Sequence, residues 1–158
     1  MKRYYLAYGS NLNVEQMRWR CPTAEIMGTG IIPDYELLFK GSRTGSYLTI
    51  EPKTGSEVPV AVWAVRERDE AALDRYEGFP TFYYKKEMEI SYRGIVTKRM
   101  RKNKPAFVYI MHEDRQLGIP TRSYVETCLE GYRRFGFDED FLIGALQRSG
   151  LEVRHEKA

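Results

Sequence analysis

Tyr8-Gly9-Ser10-Asn11-Leu12 lies directly after a short apolar run, Tyr4-Tyr5-Leu6-Ala7, and just before a helix-forming stretch, Val14-Glu15-Gln16-Met17-Arg18-Trp19. That order places a strand, a tight glycine turn and a helix N-terminus within about fifteen residues. Such a turn aims several backbone N–H groups at one point, which suits a carboxylate or a developing oxyanion. A second segment, Leu73-Asp74-Arg75-Tyr76-Glu77-Gly78-Phe79-Pro80, closes a short helix with a glutamate among aromatic residues. Together the two segments point to acid–base chemistry on a small anionic molecule.

The chain surrounding them is 158 residues long, which predicts a single domain over residues 1–158 with enough interior for an active site. Hydrophobic residues at 42% and charged residues at 30% describe a soluble globular protein, and 12 tyrosines favour strands. Apolar runs fall well short of the ~18–20 residues that span a bilayer, and Met1-Lys2-Arg3 opens onto no signal-length hydrophobic region, so a cytoplasmic protein without a membrane partner is expected. Cys21 and Cys128 form no CxxC or Cys/His spacing and read as buried free thiols. His112 and His155 are isolated, which argues against a zinc site, a serine triad or any bound metal. The net charge of +3 is concentrated between Arg93 and Lys104. That stretch lacks interleaved aromatic residues over Lys98–Lys104 and any recognition motif, and reads as a solvated hairpin tip rather than a nucleic-acid footprint.

Strands are expected at Arg3–Tyr8, Ile26–Phe39 with a break near Pro33-Asp34, Tyr47–Glu51, Val58–Arg66, Phe82–Tyr92 and Ala106–His112. The fourth of these is apolar on both faces and therefore central. In the fifth, Phe82, Tyr84, Met88, Ile90 and Tyr92 alternate with Tyr83, Lys85, Glu87, Glu89 and Ser91, which predicts one wet face. Helices are expected at Val14–Cys21, Glu70–Tyr76, Arg122–Phe135 and Glu139–Gln147, with Asp69, Thr121 and Asp138 as N-caps. Tyr124, Val125, Cys128, Leu129, Tyr132 and Phe135 form an apolar stripe on the third helix, and by spacing alone all six are core. Strands first and helices last indicate an α+β domain rather than a doubly wound nucleotide fold.

Glu77 is the leading catalytic candidate. It occupies the last helical turn before Gly78, where the helix dipole disfavours a carboxylate by roughly 0.3–1 kcal/mol, and Tyr76, Phe79, Pro80 and Phe82 solvate it poorly. Both effects raise its pKa toward the range of a group that accepts a proton and later returns it. The alternative is an ordinary solvent-facing helix end. Ser10 has no GxSxG elbow, SxxK partner or histidine to activate it as a nucleophile, so Gly9, Ser10 and Asn11 fit better as hydrogen-bond donors. Gly28-Thr29-Gly30 opens no helix, and Gly41-Ser42-Arg43-Thr44-Gly45-Ser46 lacks the Lys-Ser/Thr ending of a phosphate loop, so no nucleotide cofactor is expected.

These segments resemble the γ-glutamylcyclotransferases and their relatives, including γ-glutamylamine cyclotransferases and AIG2-like proteins. Tyr8-Gly9-Ser10-Asn11-Leu12 is similar to the family's YGSNL motif, and Leu73-Asp74-x-x-Glu77-Gly78 to its LDxxEG motif with the catalytic glutamate. Pro120-Thr121-x-x-Tyr124, followed by Gly131 and Gly136-Phe137, is similar to its closing PSxxY segment. The resemblance implies a small mixed β-barrel with helices packed outside and an active-site cavity at its mouth. It also implies a cofactor-free reaction in which the α-amine of a γ-glutamyl group attacks its own γ-carbonyl. The products are 5-oxoproline and a free amino acid or amine. Glu77 would be the general base and acid, and Tyr8, Gly9, Ser10, Asn11, Leu12 and Tyr124 would contact substrate. A further family tyrosine matches either Tyr83 or Tyr84. Alternation favours Tyr84, and a bulge near Pro80 reverses the choice. The leaving group is open between amino acids, amines and γ-glutamylated natural products, and oligomeric state is not encoded in any motif. A noncatalytic metabolite-binding module of AIG2-like type is the alternative function.

Overall fold

The computed structural model describes residues 2–42 and 45–157, with 151–157 described by backbone alone. Met1, Arg43 and Thr44, in the leader and loop readings above, and the side chain of His155 lie outside the described residues. Six strands run β1 (Arg3–Ala7), β2 (Glu25–Gly41), β3 (Tyr47–Val65), β4 (Tyr83–Gly94), β5 (Met100–Met111) and β6 (Gln116–Leu117). The helices are α1 (Val14–Arg20), α2 (Glu67–Glu77), α3 (Arg122–Phe135) and α4 (Asp140–Lys157). Among the described residues no helix is long and apolar enough to cross a membrane.

β3 pairs with β1 along one edge and with β2 along the other. The order β3-β1-β5-β4-β2 therefore closes on itself as a five-stranded ring, with β6 added to the β2 end. β1 and β5 run parallel and the other pairings are antiparallel, which makes the sheet mixed. Residues 58–65 of β3 are all buried, as expected of a central strand. The ring meets where Gly28 and Gly30 of β2 oppose β4. A Cβ on Gly28 would lie 2.0 Å from the Arg93 carbonyl oxygen, and one on Gly30 2.7 Å from that of Ser91. These glycines serve strand closure.

Several boundaries differ from the sequence reading. The expected break at Pro33-Asp34 is a bulge inside a continuous strand. Pro33 pairs with Glu57 and Tyr35 with Pro52, so Lys53–Ser56 stand opposite Asp34 alone. Asp34 adopts φ 60° there and accepts a hydrogen bond from Gly55 N at 3.0 Å. The two expected strands 47–51 and 58–66 are consequently one. α2 begins three residues early, and Asp69 is not its N-cap. Its buried carboxylate sits within the first turn, accepting from Arg66 N at 3.0 Å and from Thr23 Oγ1 at 2.7 and 2.8 Å. Thr121 does cap α3, accepting from Tyr124 N at 3.3 Å, and Asp138 accepts from Asp140 N at 2.9 Å. The basic stretch forms the exposed end of the β4–β5 hairpin. Both cysteines are buried free thiols.

α3 reaches the ring through Gly131. A Cβ at that position would lie 2.4 Å from Leu12 Cβ and 2.8 Å from the Leu12 carbonyl oxygen, so the helix backbone rests on the turn that follows β1. A methyl group there must displace the turn or the helix. Gly131→Ala is therefore expected to lower stability by about 1–3 kcal/mol, as overpacking does. Urea denaturation reads the change, and an unaltered midpoint would refute the contact.

Candidate active site

The turn after β1 is a 3-10 segment, Ser10–Leu12, whose first bond runs from Leu12 N to Gly9 O at 3.0 Å. The N–H groups of Gly9, Ser10 and Asn11 precede that bond and have no acceptor within the turn. Asn13, rather than Ser10 or Asn11, caps α1, with its side chain accepting from Gln16 N at 3.1 Å. Asn13 Nδ2 also donates to Glu130 Oε2 at 2.8 Å, a second tie between this segment and α3. Gly9 fits closely: a Cβ there would approach Tyr124 Oη to 3.3 Å and Leu48 Cβ to 3.4 Å.

Above this turn opens a cleft of about 320 Å³, lined by the turn, the end of α2, the starts of β3 and β4, and single residues of β5 and α3. Tyr8, Gly9, Ser10, Asn11, Glu77, Tyr83 and Tyr124 all line it. Leu12 does not, being buried beneath α3. Tyr84 does not either, and its hydroxyl donates to Glu113 Oε2 away from the cleft. The alternation that favoured Tyr84 is misleading because both faces of β4 are used. The expected wet face holds at Glu87 and Glu89, which are exposed, but nearer the cleft that face meets α2, where Lys85 Nζ lies 2.6 Å from Glu70 Oε2 and 3.0 Å from Asp74 Oδ1. Tyr83, paired with Met111, belongs to that face. His112 stays outside the cleft, its Nε2 lying 2.7 Å from the Pro80 carbonyl oxygen.

Glu77 supplies the only carboxyl group in the described lining. α2 ends there because Gly78 adopts φ 64°, with Phe79 N donating back to Asp74 O at 2.9 Å. The residue keeps some exposure through the cleft, yet protein atoms enclose its carboxyl group. Loss of water raises its pKa to about 8, against the opposing pull of the Arg20 guanidinium. Of the residues expected to solvate it poorly, Tyr76 and Phe82 line the cleft, whereas Phe79 and Pro80 are exposed and lie outside the lining. Tyr5, Tyr8, Tyr83 and Tyr124, brought from β1 and the turn after it, β4 and α3, line the cleft with them.

Seven tyrosines line the cleft in all, and hydrogen bonds hold most of them. Tyr8 donates to Tyr109 O at 2.7 Å, Tyr83 to Leu48 O at 2.8 Å and Tyr109 to Asp74 Oδ1 at 2.6 Å. Tyr124 Oη accepts from Leu48 N at 3.1 Å, and Tyr5 Oη from Asn11 Nδ2 at 2.9 Å. Ser10 Oγ lies 2.9 Å from Tyr76 Oη. Burial holds Tyr5, Tyr8, Tyr83 and Tyr124 well above the usual tyrosine range, so their phenols stay neutral. Tyr5, Tyr109 and Arg20 were not legible as site residues. Tyr5 and Tyr109 sit within apolar strand runs, and Arg20 resembles an ordinary basic residue of a last helical turn.

A closed mixed ring carrying one raised carboxyl group in a tyrosine-walled cleft, with the Gly9-Ser10-Asn11 turn in the same lining, presents a candidate small-molecule site. The sequence profile of the family described as "Gamma-glutamyl cyclotransferase, AIG2-like" matches residues 5–127, which include every cleft-lining residue named above. The chain belongs to that family. It is similar to the γ-glutamylcyclotransferase of Bos taurus, with 34% identity over 87 residues covering 51% of this chain and 46% of that protein. The human protein of the same name gives the same figures. This chain thus matches about half the length of those curated relatives. Among solved structures, one named gamma-glutamyl cyclotransferase superposes with a TM-score of 0.77 at 22% identity, covering 92% of this chain and 86% of its own. A yeast cyclotransferase described as specific to glutathione gives 0.62 at 12% identity and covers 98% of each chain. At such identities these structures establish the fold.

The raised pKa of Glu77 has a consequence for stability. The folded protein favours the protonated acid, so the Glu77 contribution is fully present below the ordinary value of 4.5 and is lost as pH rises through about 8. Glu77→Gln should therefore be more stable than wild type at pH 9, by on the order of a few kcal/mol, and equal to it near pH 4. Thermal melts across that range test this, and a difference independent of pH would contradict it.

Proposed function

We propose that this chain is a γ-glutamyl cyclotransferase, and that residues 1–158 act as one catalytic unit. The observation carrying the reading is a single carboxyl group, raised to about 8, that shares a cleft with the Gly9-Ser10-Asn11 turn and a set of neutral tyrosines. The cleft volume lies at the lower end of small-molecule pockets, which suits a γ-glutamyl group.

The substrate's α-carboxylate is held by amides of the turn, and its α-ammonium lies against Glu77. Ionised Glu77 takes one proton from the ammonium, and the freed amine forms a C–N bond to the γ-carbonyl carbon. Charge moves onto the carbonyl oxygen, where a turn N–H or the Ser10 hydroxyl stabilises it. Glu77 then returns its proton to the leaving nitrogen as the original γ-amide C–N bond breaks. It takes the second proton from the positively charged ring nitrogen, so that the lactam is neutral, and passes it to the departing amine, which leaves as its ammonium. The products are 5-oxoproline and an amino acid or amine. Water, metal and cofactor take no part in this sequence. Tyr83 and Tyr124 shape the wall against which the γ-glutamyl chain lies. The relatives' names support γ-glutamyl compounds as the substrate class, and the free thiols accord with a cytoplasmic setting.

The test is 5-oxoproline release, followed by mass spectrometry, from a panel of γ-glutamyl amino acids and amines. Wild type should form it and Glu77→Gln should not. A Glu77→Gln protein with near-wild-type turnover would refute the mechanism, and silence across the panel would favour a binding module. Ser10→Ala should lose less activity than Glu77→Gln; the reverse order would revive a nucleophilic serine.

The same assay carries a pH prediction. Because the free enzyme must hold Glu77 ionised, kcat/KM should rise ~tenfold per pH unit on the acid side and level off above about 8. A profile flat from pH 6 to 9 would contradict that assignment.

A further inference from the structure

Arg20, in the last turn of α1, joins the two halves of the cleft without lining it. Its guanidinium carbon lies 3.4 Å from the centre of the Tyr76 ring, and Nη1 donates to Asn11 Oδ1. Nη2 reaches Gln16 Oε1 at 3.5 Å. A carboxamide has one acceptor end and one donor end. With Oδ1 engaged by Arg20, the Asn11 donor end is turned to the other side. There Nδ2 meets Tyr5 Oη at 2.9 Å and Glu77 Oε1 at 3.5 Å. The stacked Tyr76 in turn places its hydroxyl 2.9 Å from Ser10 Oγ. A planar guanidinium can stack on an aromatic face and direct its donors sideways at once, which an ammonium cannot do.

We propose that Arg20 is a positioning residue for Glu77, holding the Asn11 carboxamide with its donor end toward the carboxylate and pinning the turn to the end of α2 through Tyr76. The proposal rests on Glu77 being the proton carrier. The phenols that line the cleft with Glu77 come from Tyr5 and Tyr8 in and after β1, Tyr47 on β3, Tyr76 on α2, Tyr83 on β4, Tyr109 on β5 and Tyr124 on α3. Among the described residues Arg20 is the charged side chain that acts on the Glu77 carboxylate, favouring its ionised form. Arg20 thus has two separable effects: its charge favours ionised Glu77, and its shape orients Asn11.

Arg20→Gln and Arg20→Lys separate these effects. Carbon-detected NMR of the Glu77 carboxyl group in substrate-free protein reads the first, and kcat and KM against pH read the second. Arg20→Gln should move the Glu77 titration upward by about one pH unit. It should also lower kcat at pH 7 by about 10²-fold with a smaller change in KM, and part of that loss should return as pH rises. Arg20→Lys keeps the charge and most of the stem, so it remains informative should Arg20→Gln fail to fold. Its titration should stay close to wild type while kcat stays low at every pH. An unmoved Glu77 titration in Arg20→Gln, or full kcat in Arg20→Lys, would overturn the proposal. If wild type turns over no γ-glutamyl compound, the cyclotransferase reading fails, and the NMR titration alone still decides whether Arg20 acts on Glu77.

Discussion

β3 has both edges occupied, by β1 and by β2, and everything at the site depends on that double pairing. It closes the ring and brings β1 into a fixed place beside β5. The turn after β1 is then delivered to the mouth at the height of Tyr109. A sheet left open between β1 and β3 would leave β3 free to separate from β1 and from the turn after it that carries Tyr8. Leu48, whose carbonyl oxygen and amide hold Tyr83 and Tyr124, belongs to β3 itself. One strand thus supplies the closure and the anchor points of two wall residues.

The helices complete what the ring begins. α2 follows β3 directly and ends at Gly78, which sets Glu77 at the cleft with Asp74 one turn earlier, anchoring the Tyr109 hydroxyl. In the family's LDxxEG pattern the aspartate therefore has a physical task in this chain: it orients a wall residue. Lys85 ties the same Asp74 to Glu70 across α2. α3 presses on the turn from outside through Gly131, so a helix late in the sequence determines the seat of its earliest loop.

Local patterns made much of this legible, and non-local pairings concealed the rest. The strand–turn–helix order around Gly9, the α3 range and the burial of residues 58–65 all follow from periodicity and capping within short windows. Ring closure depends on a parallel pairing between β1 and β5, about a hundred residues apart, which no window contains. The same holds within the site. Glu77 is conspicuous at a helix end before glycine, but the tyrosines that share its cleft are scattered from position 5 to 124. Tyr83 was obscured because Lys85, its nearest neighbour on the same face of β4, is neutralised by Glu70 and Asp74 of α2 rather than by water. Leu12, carried along by its motif, proved to be packing beneath α3.

The neutrality of the tyrosine wall has one more consequence. With buried phenols unable to ionise in the physiological range, the cleft of the proposed active form, in which Glu77 is ionised, has two poles: the Glu77 carboxylate and the partial positive charge of the turn amides. A zwitterion entering such a space is sorted like a key with a polarity mark, cation end toward one pole and anion end toward the other. The mirror-image arrangement of the same three-pronged centre would satisfy the poles only by swinging its side chain off the wall. On the proposed reaction, stereochemical choice therefore follows from the two poles taken together with the tyrosine wall.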